Sequence, residues 1–126
     1  MRIIIIALLL SSASALADWT RVDRNDDQDT YVDLATIHRQ ANIVDLWTLL
    51  DYKTSHQWSD YLLYWSLKAE KEFDCDAGQY RTLETLLHFE HMANGQSVYT
   101  VPGGSLWRPV PADSVDAIFW KVACKP

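Results

Sequence analysis

From Trp19 to Val101 apolar and polar positions alternate with a period close to two, the mark of strands whose two faces meet different surroundings. The pattern predicts a first strand over residues 18–22, a polar loop over 23–29, and an extended piece from 30 that ends in a turn at 40–42. A strong strand follows over 43–53, then a connection rich in turn formers over 54–60 and a long strand over 61–75. Residues 76–78 make a tight turn in which Gly78 is free to take a positive φ. A strand over 79–90, a hairpin turn at Asn94-Gly95-Gln96 and a short strand over 97–101 complete the series, which Pro102-Gly103-Gly104 breaks.

Near the C-terminus the period changes. Val115, Ile118, Phe119 and Val122 fall at i, i+3, i+4 and i+7, one stripe of a short amphipathic helix. Asp113 or Ser114 is its N-cap; Asp116 stands in its first turn and Lys121 and Lys125 at its far end, a charge order that suits the helix dipole. Sequential strands followed by one helix packed on the sheet is an α+β layout. No repeat, low-complexity stretch or linker divides residues 18–126, so one domain is expected.

The long strand gives the clearest phase. Its odd positions (Tyr61, Leu63, Trp65, Leu67, Ala69, Lys71, Phe73, Cys75) are mostly apolar and its even positions from Ser66 to Asp74 are polar, so the odd set faces the core. The next strand repeats this with Leu83, Thr85, Leu87 and Phe89. The opposite face also carries apolar groups: Trp47, Leu49, Leu62, Tyr64, Tyr80 and Leu86. A contiguous patch of this kind marks an interface with a second copy or a partner, unless a loop of the same chain covers it. Trp47, Tyr64 and Tyr80, with Trp58 at the hairpin tip, are the expected contact residues, because Trp and Tyr are the usual anchors of interfaces.

The N-terminus adds a compartment. Met1-Arg2 is a short positive start, Ile3 to Leu10 is apolar but too short to span a bilayer, and Ala15-Leu16-Ala17 is an A-x-A cleavage pattern. Residues 1–17 read as a secretory signal peptide, so the chain is exported to the periplasm, the cell surface or the medium. No cysteine follows the cut, so no lipid anchor and no membrane-spanning segment is expected in the mature chain. Losing Arg2 takes the formal charge from −6 to −7. That acidity argues against nucleic acid and anionic membranes as partners, since both need clustered Lys and Arg.

Export also bears on the two cysteines. Cys75 ends the long strand in phase with the core, and Cys124 lies at the end of the helix over it. Two cysteines in an oxidising compartment favour a disulfide. A nucleophile or metal ligand is the alternative, and Asp74 and Asp76 beside Cys75 oppose the thiolate it would need. One detail resists the bridge: ideal spacing puts Cys124 half a turn from the Val115–Ile118–Val122 stripe, so the helix frays before it or the bond sits on the helix flank.

Other candidate chemistry is thin. His88-Phe89-Glu90-His91 has the look of a metal motif, but on a strand only His88 and Glu90 share a face, which leaves zinc short of ligands. His38, His56, His88 and His91 are therefore read as surface residues, with a weak site at His88 and Glu90 as the alternative. Asp23, Asn25, Asp27 and Asp29 have the opening rhythm of a calcium loop, but Gln28 replaces its glycine and Leu34 its bidentate glutamate. No nucleophile elbow, phosphate loop or zinc-protease motif is present, so neither a catalytic residue nor a cofactor is expected.

Taken together, these residues resemble the surface-adhesin protein E family of Gram-negative bacteria. The resemblance runs from Trp19 through "YVDLATI" (31–37), "VDLWTLLDYK" (44–53), Ser66 and Lys68, Cys75, Gly95, Trp107, "PVPADS" (109–114) and Cys124. It implies an antiparallel sheet of about six strands with a C-terminal helix tied to it by a disulfide. It also implies a dimer-forming binding protein without enzymatic activity, whose ligands are host or extracellular matrix proteins. The alternative is an envelope-associated periplasmic protein with no host ligand.

Overall fold

A computed structural model describes residues 18–104 and 106–125; the segment read as a signal peptide lies outside them. The strands are β1 (Trp19–Arg24), β2 (Gln28–Gln40), β3 (Ile43–Ser59), β4 (Leu62–Asp74), β5 (Gln79–His88), β6 (Ser97–Pro102) and β7 (Arg108–Pro109), and one helix, α1 (Val115–Cys124), follows them. Every neighbouring pair is antiparallel, and β1 to β6 lie in the sheet in chain order, with β7 pairing the start of β5. The α+β layout with a C-terminal helix is therefore as expected.

Two connections depart from the sequence reading, and the turn expected at 40–42 is found there. β3 runs on to Ser59, so residues 54–59 are strand and the hairpin turns at Asp60-Tyr61 alone. β2 and β3 are joined at Ala41-Asn42, where Ala41 takes φ 54°. The Asn-Gly pair does not make a two-residue hairpin: β5 ends at His88, and a loop over 89–96 with a 3-10 turn at His91–Ala93 precedes β6. Gly95 does take a positive φ (71°), but Asn94 does not (−80°).

Bulges interrupt five of the strand pairs and reset the alternation each time. An extra residue in one strand moves everything beyond it to the other face. In β5, Glu84 pairs Glu70 but Thr82 pairs Lys71, so Leu83 is the extra residue. In β2, Asp33 pairs Trp47 and His38 pairs Asp45, which throws Leu34 to Ile37 outward as a local loop. Asp33 accepts the Ala35 N–H, and the Thr36 hydroxyl donates to Asp33 O while accepting the Trp47 N–H (3.1, 2.7 and 3.0 Å).

α1 covers one face. Phe119 and Ala123 are buried against Val32, Val44, Leu46 and Phe73, with Val115, Trp120, Val122 and Cys124 around them. The buried stripe is thus centred on Phe119 and Ala123, rotated from the expected Val115–Ile118–Val122 line. That rotation brings Cys124 to the helix flank, still helical, where it bonds Cys75 with Cα atoms 5.5 Å apart. Ser114 is the N-cap and accepts the Ala117 N–H at 3.1 Å. Lys71, on the helix side of β4, reaches Asp116 at 2.7 Å, and Arg39 donates to Ala123 O at 2.9 Å, satisfying a carbonyl in the last turn. Among the described residues no helix is long and apolar enough to cross a membrane.

Candidate binding surface

Five of the large apolar side chains that the fold leaves exposed collect at one end of the sheet. They are Trp58 (49% exposed), Tyr61 (98%), Leu63 (50%), Phe89 (53%) and Tyr99 (44%). The end is built from the β3–β4 hairpin tip, the 89–96 loop and the start of β6. Trp58 sits in a bulge between Gln57 and Ser59, and its ring stacks on Tyr99 with centroids 5.3 Å apart. β4 and β5 lie between these two strands in the sheet, so the sheet curls enough to bring β3's tip round to β6.

The loop at this end is held by a row of polar side chains under it. Asp51, Ser66 and His88 are direct cross-strand neighbours on β3, β4 and β5, so they share the face opposite the helix. Asp51 accepts the Met92 N–H at 2.9 Å and lies 3.0 Å from His91 Nδ1. The buried Ser66 hydroxyl donates to Glu90 O at 2.6 Å and accepts the Ala93 N–H at 2.8 Å. His88 Nδ1 lies 3.3 Å from Gly95 O, while its buried Nε2 has no partner among the described residues. Burial, and then the Lys68 charge, hold this imidazole below its usual pKa, against the pull of the Gly95 and Asn94 carbonyls. Asp, Ser and His are the residue types of a charge relay, but here each is bonded to the loop rather than to the next.

The loop therefore covers the Asp51–Ser66–His88 end of the outer face. Beyond it the outer face shows a row running Trp19, Asp33, Trp47, Glu70, Glu84 across β1 to β5. Glu70 and Glu84 stand directly opposite one another, and Asp45 pairs Glu72 in the adjoining row. The Glu70 pKa is raised, by burial first and then by Asp45, Glu72 and Glu84.

The four residues that the sequence pattern named do not come together. Trp58 is at the exposed end. Trp47 is on the outer face as expected, half-buried, with the Lys68 ammonium 5.6 Å from its ring centre. Tyr64 is half-buried, its ring 5.7 Å from His56 and 5.9 Å from Tyr52. Tyr80 lies on the opposite side from the one expected: the Leu83 bulge turns it toward the helix, where it packs on Phe73. Tyr61, Leu63 and Phe89, placed in the core by strand phase, are exposed. The phase named their face correctly as far as β4 is regular, but the β3–β4 hairpin overshoots the core.

Among the described residues no three His, Cys, Asp or Glu side chains gather as a metal-ligand set. His88 is buried at a strand end, while Glu90 and His91 stand in the loop. The Asp23–Asp29 stretch is a hairpin loop in which Asn25 Oδ1 accepts the Asp27 and Gln28 N–H groups.

The family model for surface-adhesin protein E matches residues 19–125. In three dimensions the chain is similar to protein E of Haemophilus influenzae, with a TM-score of 0.64 over 86% of this chain and 88% of that one, at 14% identity. At that identity the likeness is one of fold. No curated protein matches the sequence.

Proposed function

The chain belongs to the surface-adhesin protein E family, and from that premise we propose that it is an exported, non-enzymatic binding protein that grips a protein ligand with its apolar end. The observation that carries this reading is the gathering of Trp58, Tyr61, Leu63, Phe89 and Tyr99 at one end of the sheet, all at least 44% exposed. Aromatic side chains with few rotatable bonds are the residues that dominate protein interfaces. The rigid base beneath them, a curled sheet with its loop bonded to Asp51 and Ser66, limits the ordering cost of binding. Host or extracellular matrix proteins are the ligand class that the family suggests. Self-association fits the same end better than the outer face, where the Glu70–Glu84 pair of one copy would confront its own kind.

The test is surface plasmon resonance of the oxidised mature protein over immobilised matrix proteins. Trp58→Ser and Tyr61→Ser are each expected to weaken binding about tenfold or more, the range of an interface anchor. Wild-type affinity in both variants, with unchanged circular dichroism, would sink the assignment. Retention in the periplasm with no surface exposure on fractionation would favour the envelope role instead.

A further inference from the structure

We propose that protonation of His88 releases the 89–96 loop, so that the binding end, as read above, is remodelled by mild acid. The loop is held closed against its own backbone preference. Met92 and Ala93 both take left-handed φ values, 61° and 55°, which side chains with a Cβ disfavour. What holds them there is polar: Asp51 on the Met92 N–H, and Ser66 between Glu90 O and the Ala93 N–H. His88 completes the row by donating from Nδ1 to Gly95 O, at the far end of the same loop. Such a closure depends on every anchor fitting at once.

His88 is the anchor that acid disturbs. The residue is 5% exposed, and Nε2 is enclosed without an acceptor among the described residues. In the neutral ring Nδ1 donates and Nε2 is an acceptor left without a donor, a smaller cost than a buried charge. The imidazolium carries a second N–H, which would point at no acceptor, and a charge with no water around it. The surroundings give it little relief. From β4 the neighbouring Lys68 is itself cationic, and Ser66 has committed its hydroxyl proton to Glu90 O. From β6 the paired residue is Ser97, which has no charge. From β3 Asp51 is engaged by the Met92 N–H and His91. In the loop, the Glu90 carboxylate lies against Gly95, and the Gly95 and Asn94 carbonyls favour the protonated ring but do not outweigh burial.

The sign follows from linkage. The closed loop holds His88 below the value of about 6.5 that an open, solvated imidazole would have. Opening therefore takes up a proton, and closure is strongest above that pH and weakens as pH falls below it, at most tenfold per pH unit for one proton. Opening moves Phe89, next in the chain to His88, so the surface offered to a ligand changes with it.

The experiment is amide hydrogen exchange of Met92 and Ala93 in the oxidised mature protein from pH 7.5 to 5.0, each rate referred to an unstructured peptide at that pH. Wild-type protection is expected to fall below about pH 6.5 and to be independent of pH in His88→Gln. Flat wild-type protection would overturn the proposal, as would an unchanged pH dependence in His88→Gln. If that variant does not fold, the wild-type imidazole resonances decide: His88 must titrate in step with the loss of protection, and a ring that stays neutral throughout refutes the mechanism. No ligand is needed for either readout. Loss of the binding assignment at Trp58 and Tyr61 would leave these outcomes standing, and their failure would leave that assignment standing.

Discussion

Lys71 Nζ lies 2.7 Å from Asp116 Oδ1, joining the last third of β4 to the first turn of α1, and both side chains are 13% exposed. The ammonium also lies 5.2 Å from the Tyr80 ring centre and 6.0 Å from that of Phe119. The pair thus sits at the mouth of the core rather than on open surface. Replacing either partner alone leaves the other charge poorly solvated. Lys71→Met or Asp116→Ala is expected to destabilise by on the order of 3 kcal/mol, read from urea unfolding. Replacing both with apolar residues should cost far less. A double-variant cost equal to the sum of the two single costs would show that the two groups do not depend on each other.

The Cys75–Cys124 bond closes a loop of sequence separation 49. In the chain-entropy model its removal costs about 4 kcal/mol, a large part of a domain's stability. Cys75→Ser or Cys124→Ser should each lower the melting temperature, and a reductant should do the same to wild type but nothing to either variant. An unaltered melt in dithiothreitol would show that the noncovalent clamps at Asp116 and Ala123 suffice.

Two glycines predict unlike results. A Cβ at Gly103 would collide with the Thr82 and Leu83 carbonyls, where the Gly103 N–H donates to Leu83 O at 3.0 Å. Gly103→Ala is expected to cost roughly 1–3 kcal/mol because backbone must move. Gly78 takes φ 67° with open space around it, so Gly78→Ala meets only the conformational penalty, about 1 kcal/mol. The ordering of the two in thermal unfolding is the check.

At alkaline pH the tyrosines set the response. Tyr52 is pushed up to about 12 by burial and by neighbouring Tyr64, and Tyr31, Tyr64 and Tyr80 are raised mainly by burial. A phenol whose folded pKa exceeds its unfolded one stabilises fully below pH 10 and loses that contribution as pH rises toward the folded value. Absorbance titration at 295 nm should show Tyr52 ionising last, and Tyr52→Phe should soften the alkaline loss of stability. A Tyr52 that titrates near 10 in the folded protein would contradict this.

Much of the architecture was legible because alternation and the period change at Pro111 are local signals. The disulfide was legible too, since the expected export, strand phase and chain position all pointed to the same pair. Tyr80 was not, because a bulge carries no mark in composition: Leu83 looks like any other apolar strand residue, yet it inverts the face of what precedes it. Residues 54–59 were misread for the opposite reason. Thr, Ser and Gln suit a turn, but tertiary pairing drew them into β3. The exposed end was hidden because a period-two pattern says which way a side chain points and nothing about where the core stops. Of the residues at that end the pattern picked out Trp58 alone, and its stacking partner Tyr99 lies three strands away in the sheet, a relation that only the curl creates.

The bridge between the β4–β5 turn and the last turn of α1 divides the chain into two covalent regimes. Residues 75–124 form a ring that contains β5, the 89–96 loop, β6, β7 and α1, while β1 to β4 form an open thread leading into it. A protease that cuts once within the ring separates nothing until the bond is reduced, whereas a cut in the thread releases strands at once. The helix, being inside the ring, cannot be lent to a second copy without breaking the bond, so exchange of α1 between chains is closed off. The half of the exposed apolar end that carries Phe89 and Tyr99 lies in the ring and the half that carries Trp58, Tyr61 and Leu63 lies on the thread, and the stacked rings of Trp58 and Tyr99 join the two without a covalent link.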